Sequence, residues 1–544
     1  MATVAADIGP AGGGPASEPS DLKRDRLVIF ASSLGTVFEW YDFFVYGTLA
    51  ATLARLFFPA SNPMTSFLLV LASFGVGFGM RPLGAILFGY LGDRLGRKYT
   101  FLITITLMGV ATAGVGLMPT YAQIGAAAPI LLVILRIMQG LALGGEYGGA
   151  AIYVAEHAPA NRRGLYTSFI QAGVIGGFML SLAVVLGTNA LLSAEAEESW
   201  GWRVPFLISL LLLAVSLWVR LKLKESPVFQ AIKEAGELAR NPLRESFRGW
   251  RQIRMIFVSL FGIAAGLTVV WYTATFQALY FLQNSLRIDD TAARLIIGLA
   301  TVIGTFWFIL FGWLSDRIGR KPPIIAGYAL TIILLFPLFH WMAAAANPEL
   351  SGARLRSPVT VQGTHCEFNP FASRQANPCG RALDALTRRG ISYEIVPAPG
   401  WTGDGDAYQV RIGAEPVDAA DEAALDRALG AAGYRLEKTT PPAGRIVPLV
   451  IALLLVSLLS GMTYGPVAAL LVELFPARVR YTSLSIPYHV GTGYFGGFLP
   501  FISQYIVART GDPFAGLWYT VGVVALALVI TLLWLPETAG RRLD

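Results

Sequence analysis

A short segment occurs twice, and it dictates the organisation of everything around it. Gly89–Lys98 reads GYLGDRLGRK and Gly312–Lys321 reads GWLSDRIGRK, each set between two long apolar stretches. A second pair follows in the same order: Glu156, Pro159 and Arg163 in EHAPANRR match Glu473, Pro476 and Arg480 in ELFPARVR. Two independent markers in one order mean that a single unit has been written twice. The spacing between markers differs between the copies. Asp316 lies 223 residues after Asp93 and Glu473 lies 317 after Glu156, so the second copy carries 94 extra residues between its markers.

Composition says what the unit is. Of 544 residues, 54% are hydrophobic and 14% charged, against about 25% charged in an average soluble domain. Apolar runs of about 20 residues, enough to cross a bilayer, recur along the chain. The net charge of +7 does not point to nucleic acid, because the basic residues sit in short loops between apolar runs, the pattern of membrane topogenesis.

The hydropathy pattern predicts an all-α membrane protein with twelve spans, near 28–50, 66–91, 99–118, 129–153, 165–190, 204–221, 255–282, 291–314, 322–345, 445–472, 482–508 and 516–535. The repeat arranges them as two pseudo-symmetric six-helix bundles. Residues 1–26 read as a disordered tail, 27–222 as the first bundle, 223–253 as a middle segment, and 254–346 with 444–536 as the second bundle; 537–544 form a closing tail. Arg94, Arg97, Lys98, Arg162, Arg163, Arg317, Arg320, Lys321, Arg478 and Arg480 fall on one side, together with the basic middle segment. The positive-inside rule makes that side, and both termini, cytoplasmic in a cell inner (plasma) membrane.

The extra residues fall at 347–443, between spans 9 and 10, and therefore outside. A stretch of that length needs structure of its own. Leu383–Arg389 reads as a helix stopping at Gly390, Ile391–Val396 and Tyr408–Ile412 read as strands, and Asp418 reads as the cap of a helix running to about Gly433. The expectation is a small α/β extracytoplasmic insertion. It holds both cysteines, Cys366 and Cys379, which in an oxidising exterior either pair or stay as two free thiols.

Chemistry inside the spans is sparse and therefore informative. Span 1 reads GTVFEWYDFFVYG, with Gly35, Glu39, Asp42 and Tyr46 on one helical face. An acid inside a crossing helix costs roughly 2.5–3.5 kcal/mol and usually marks a pathway. Proton or cation binding is the functional reading, and an ion pair with a neighbouring helix the structural one. Span 4 reads LRIMQGLALGGEYGGA and places Arg136, Gln139 and Tyr147 along nearly one face. Arg136 calls for a counter-charge, for which the span 1 acids are the candidates; a proton on Glu39 or Asp42 would then free Arg136 for a substrate carboxylate. Arg81 in FGMRPLGA is a second buried cation, beside a Pro82 that suggests a local kink, so helix packing is the alternative to a ligand role there. The glycine clusters GFGVGFGM and GGEYGG lie within apolar helices and no GxxxxGK[ST] is present, so they read as close helix packing rather than nucleotide loops.

At the cytoplasmic helix ends, Asp93, Arg94, Arg97, Glu156, Arg163 and Glu225 have counterparts in Asp316, Arg317, Arg320, Glu473, Arg480 and Glu537. These alternating charges either pair between the halves when an inner gate closes or only set topology. Surface pairs are individually weak, as a gate that must reopen requires.

The Asp-Arg-x-Gly-Arg-Lys loop, present in both halves, resembles the signature of the major facilitator superfamily. GTVFEWYDFFVYG, RPLGAILFGYLGDRLGRK, RIMQGLALGGEYGG, WGWRVPF, KESPVF and GPVAALLVELFPARVRYTS together resemble its metabolite:proton symporter family, which includes citrate, α-ketoglutarate, dicarboxylate, shikimate and osmoprotectant permeases. The resemblance implies alternating access around a central site. It covers all twelve spans and not the insertion, and it departs in span 11, where Tyr488-His489 stands for the family's Tyr-Asn.

The expected function is proton-coupled symport of a small organic acid by a monomeric transport unit in the lipid bilayer. Glu39, Asp42 and Arg136 are the expected coupling residues, and Tyr46, Arg81, Arg136, Gln139, Gln171, Tyr272, Gln277, Tyr464, Tyr488 and His489 the substrate-binding ones. The rivals are a symporter of a zwitterion such as betaine or proline, and a non-transporting sensor using its outer domain to engage a partner. No nucleophile–base set or metal-spaced cluster argues for an enzyme, and no cofactor is expected.

Overall fold

The computed structural model describes residues 36–60, 62–95, 97–145, 147–221, 242–363, 366–372, 374–396, 407–476, 480–541 and 543. The terminal tail, most of the middle segment and Glu225 lie outside the described residues. Among them, eight helices are long and apolar enough to cross a membrane: Pro63–Phe88, Ala160–Leu191, Gly201–Trp218, Trp250–Ser285, Asp290–Ile318, Lys321–Ala346, Ala443–Leu474 and Leu517–Trp534. Leu102–Leu117 and Ala127–Leu143 are apolar but shorter. Span numbers are kept below as labels.

Several helices are interrupted where the sequence allows it. Span 2 loosens to a turn at Met80, between Pro63–Gly79 and Arg81–Leu95, two residues before Pro82, which has no N–H to donate. Span 4 breaks after Leu143 at paired glycines, and its counterpart span 10 breaks after Tyr464 at Gly465-Pro466. Spans 7 and 11 contain wider π-helical turns, at Val258–Ala264 and Gly491–Gly496, and these pack on each other. Gly491 makes this approach possible, since a Cβ there would lie 2.4 Å from that of Ala264.

Small residues set how close the helices come. Spans 2 and 4 meet backbone to backbone: a Cβ on Gly140 would lie 1.7 Å from the Gly77 carbonyl oxygen, and one on Gly84 2.0 Å from that of Leu141. The glycine clusters therefore act in helix packing. Across the halves, span 5 packs along span 8 and span 2 against span 11.

Between spans 9 and 10 the chain leaves the helical body. Helix Pro348–Arg356 leads into a four-stranded sheet of order β2-β1-β3-β4, with β1 Val359–Gly363, β2 Glu394–Val396, β3 Tyr408–Ile412 and β4 Glu415–Val417. β2 runs parallel to β1 through the crossover helix Pro378–Arg388; β3 is antiparallel to β1 and forms a hairpin with β4. Alternate residues Val359, Val361, Val410 and Ile412 turn to one face and share a core with Leu383, Leu386, Leu425 and Leu429. Cys366 and Cys379 are joined by a disulfide. Two details of this segment depart from expectation. The helix Glu422–Ala431 is capped by Asp421, which accepts from Ala423 N and Ala424 N, while Asp418 closes the preceding turn at Ala420 N. β2 starts at Glu394 rather than Ile391, because Ile391 N closes the preceding helix onto Leu386 O and Tyr393 N bonds Gly511 O.

The close approach of spans 2 and 4 yields a stability test. Gly140→Ala should cost about 1–3 kcal/mol or more through overpacking, whereas Gly187→Ala, with open space around its Cβ, should be neutral or slightly stabilising. Thermal unfolding of the two variants in detergent, read against the parent, checks this ordering.

Candidate functional site

The centre of the helical body is built from spans 1, 2, 4, 7, 10 and 11. Arg136 is fully buried on span 4. Its Nη1 donates to Gln139 Oε1 at 2.6 Å, one turn on, and Gln139 Nε2 donates to Thr112 Oγ1 at 2.7 Å on span 3. Its guanidinium carbon lies 4.1 Å from the Phe43 ring centroid and 4.3 Å from that of Tyr46, with Phe74 at 5.4 Å. Arg136 Nε and Nη2 have no hydrogen-bond partner. The expected ion pair between Arg136 and the span 1 acids is therefore corrected: no carboxylate touches Arg136 among the described residues. The negative faces of three aromatic rings take that place. Glu39 and Asp42 are both buried, and Asp42 Oδ1 has no partner.

Arg81, 1% exposed, repeats the arrangement one helix away. It lies over Trp40 and Phe78, and its Nε and Nη2 are likewise unpartnered. Beside them stands the Tyr272 hydroxyl, whose ring meets Phe78 edge-on with centroids 5.4 Å apart. That hydroxyl has no hydrogen-bond partner, nor has either ring nitrogen of His489. Tyr488 and Tyr464 join their hydroxyls at 2.7 Å across spans 11 and 10. Tyr46 hydrogen-bonds Ser73. Gln171 is buried on span 5. Gln277 accepts from Gln504 Nε2 at 3.1 Å.

The charges at the helix ends that carry the doubled motif form a compact cluster. Asp316 accepts from Gly164 N and Leu165 N, both at 2.8 Å, so a carboxylate of the second half sits on the exposed N–H groups that open span 5 of the first. Arg480 Nη1 donates to Glu156 Oε1 at 3.0 Å, also across the halves, and Arg163 reaches Glu473 at 3.8 Å. Arg320 binds Asp316 at 2.5 Å and Glu473 at 3.0 Å within its own half. Gly164 and Gly312 permit the approach, each presenting a carbonyl oxygen to the space where the other's Cβ would be. Burial distinguishes these groups from ordinary surface pairs: the Arg320 and Glu473 side chains are 1% and 0% exposed. Arg317 is not among them; it is exposed and stacks on Trp313. Glu537 joins the N-terminus of span 9 instead of crossing the halves. Burial alone would push its carboxyl up, but N–H groups of Ala539, Arg320, Lys321 and Thr538 outweigh that and hold it below the usual carboxylate range. The side chains of Asp93, Arg94 and Arg97 lie outside the described residues.

Sequence reasoning did not find Phe43, Phe74 and Phe78 around the cations, nor Ser73, Thr112 and Gln504 as partners. Aromatic residues on apolar helices carry no signal of their own. The hydroxyls and the amide, being polar groups in apolar runs, carried a usable one.

Known proteins resemble this chain over its length. Residues 27–259 and 428–544 match the family described as "Sugar (and other) transporter". The inner membrane metabolite transport protein YhjE of Escherichia coli is 31% identical over 522 residues, covering 94% of this chain and 96% of that protein. The Salmonella typhimurium proline/betaine transporter is 38% identical over 58% of the chain and 64% of its own length. The E. coli alpha-ketoglutarate permease is 34% identical over 70% of the chain and 85% of its own. Among solved structures, the partially occluded inward-open xylose transporter XylE of E. coli superposes with a TM-score of 0.60 at 19% identity, covering 95% of this chain and 98% of that one. The chain belongs to the sugar (and other) transporter family of the major facilitator superfamily, and is a membrane transporter rather than an enzyme.

Proposed function

We propose that this transporter is a proton-coupled symporter of a small organic anion, working by alternating access. The carrying observation is the pair of buried guanidinium groups, Arg81 and Arg136, with N–H donors unused and no carboxylate on Arg136. Two such cations inside a bilayer are costly unless a ligand meets them, and a carboxylate matches the planar fork of an arginine. In this reading Tyr272, His489, Tyr46, Gln139, Gln171, Tyr464 and Tyr488 complete the substrate site, while Asp42 and Glu39 exchange the proton. Twelve spans in two bundles, cytoplasmic termini, an outer segment at 347–443 and a monomeric transport unit belong to the same proposal. The relatives named for α-ketoglutarate and for metabolite transport support an organic acid.

One observation favours a second substrate class. The rings of Phe43, Tyr46 and Phe74 that now face Arg136 would hold a quaternary ammonium equally well, and a relative is named for proline and betaine. Purified protein in proteoliposomes separates the two. Counterflow of dicarboxylates or shikimate, stimulated by an inward proton gradient and unaffected by betaine, supports the anion reading; counterflow of betaine or proline alone overturns it.

The cluster beneath this site closes the inner side in the same reading. Asp316, with Gly164 N and Leu165 N, is its central contact, and the Arg480–Glu156 pair its second.

Three results follow. Arg136→Lys should lose at least about tenfold in uptake, because a lysine cannot present the two-pronged donor; uptake of labelled substrate reads this. Asp42→Asn and Glu39→Gln should abolish accumulation driven by a pH gradient while leaving exchange of substrate across the membrane, measured in the same vesicles. Asp316→Asn removes a charge from two backbone N–H groups and from Arg320, so inner closure should weaken about tenfold or more. Maleimide labelling of a Ser485→Cys reporter, which lies against Gly148 between the halves, should then accelerate from the cytoplasmic side.

A further inference from the structure

The segment between spans 9 and 10 does not stand clear of the transporter. Its hydrophobic core takes in Leu68 from span 2 and Ala508 from span 11, with Met64, Phe501 and Tyr505 packed around them. Span 2 belongs to the first half and span 11 to the second. The anchors to the second half are numerous: Arg354 donates to Ser285 O at 2.8 Å, Arg287 to Arg389 O, Tyr393 N to Gly511 O at 3.2 Å, and Thr439 pairs with the backbone at Ile288. The contacts to the first half are few and specific. Asn62 Nδ2 donates to Asp384 Oδ1 at 2.7 Å, and Thr65 Oγ1 donates to Pro370 O at 2.5 Å. Pro370 and Phe371 sit on the loop closed by Cys366 and Cys379, and Phe371 stacks on Tyr505 of span 11. The same loop is braced from within, Asn369 and Gln375 exchanging two hydrogen bonds.

We propose that the inserted domain is a latch. It is fixed to the second half and grips the end of span 2, holding that end against span 11, so that this side of the transporter opens only when the disulfide loop and Asp384 release Thr65 and Asn62. The latch rests on the alternating-access reading for its purpose, but its geometry is read from the contacts alone. Among the described residues, many hydrogen bonds on one side and two on the other make the first half the side that lets go. Buried apolar surface at Met64 and Leu68 resists that release, which biases the resting protein toward closure on the domain's side. The disulfide keeps the gripping loop in one shape, so the grip loses no loop entropy each time it re-forms.

Hydrogen–deuterium exchange on the full-length protein in nanodiscs tests this without knowledge of the substrate. Asn62→Ser keeps a side-chain cap for the helix at Pro63 but cannot reach Asp384; Thr65→Val removes the second grip. Each should raise exchange at 63–72 and 499–510 by about two- to tenfold, and the pair together more. The double variant Cys366→Ser/Cys379→Ser should do the same. Glu349→Ala, which breaks an exposed pair with Arg435 on the domain, should change nothing there. Unaltered exchange at both helix ends in Asn62→Ser and Thr65→Val, with helix Pro378–Arg388 still protected, overturns the latch. If the cysteine variant unfolds the domain, the two span 2 variants decide. Failure of counterflow with every organic anion would sink the proposed substrate and leave these exchange rates to be judged on their own.

Discussion

A guanidinium with no carboxylate against it among the described residues, in the middle of an apolar bundle, is the constraint from which the rest of the structure can be read. Arg136 is held by an amide one turn away and by the faces of Phe43, Tyr46 and Phe74. Aromatic faces stabilise a cation without neutralising it, so the site keeps its positive charge. Arg81 adds a second one. Had Asp42 or Glu39 closed onto Arg136, the pair would have satisfied itself and offered a ligand little. Keeping Asp42 and Arg136 apart leaves one carboxylate oxygen of the first and two guanidinium nitrogens of the second without partners among the described residues.

Holding that charge in place demands rigid surroundings. The glycine contacts between spans 2 and 4 bring Arg81 and Arg136 onto adjacent helices, because a side chain at Gly77, Gly84 or Gly140 would push the two apart. At the other end, Asp316 binds N–H groups that open a helix of the opposite half. The partial positive charge there is a property of the backbone, so this contact does not depend on the rotamer of a long basic side chain.

Much of the architecture was legible in the sequence. Between spans 9 and 10, strand β3 and the helix that stops before Gly390 lie where turn and periodicity signals put them. The buried positions of Arg81, Arg136 and His489 followed from polar residues inside apolar runs. What was not legible depends on relations between distant residues. An acid and a base on facing helices invite pairing on charge alone, and only packing shows aromatic rings in the way. The alternating charges of the basic loops read as surface pairs, yet Arg320 and Glu473 are buried, because two glycines let the helix ends close over them. Asp418 and Asp421 are equally good caps by type, and backbone direction selects the second.

The shared core of the inserted domain also sets an order of assembly. Leu68 is made early in synthesis, the domain itself late, and Ala508 later still. Chain emerging between spans 9 and 10 thus has only part of its hydrophobic lining to fold against, and its packing is completed when span 11 arrives. The segment therefore reports on whether span 11 has reached its place: a molecule arrested before its last two helices carries an unfinished domain, with part of its apolar surface uncovered.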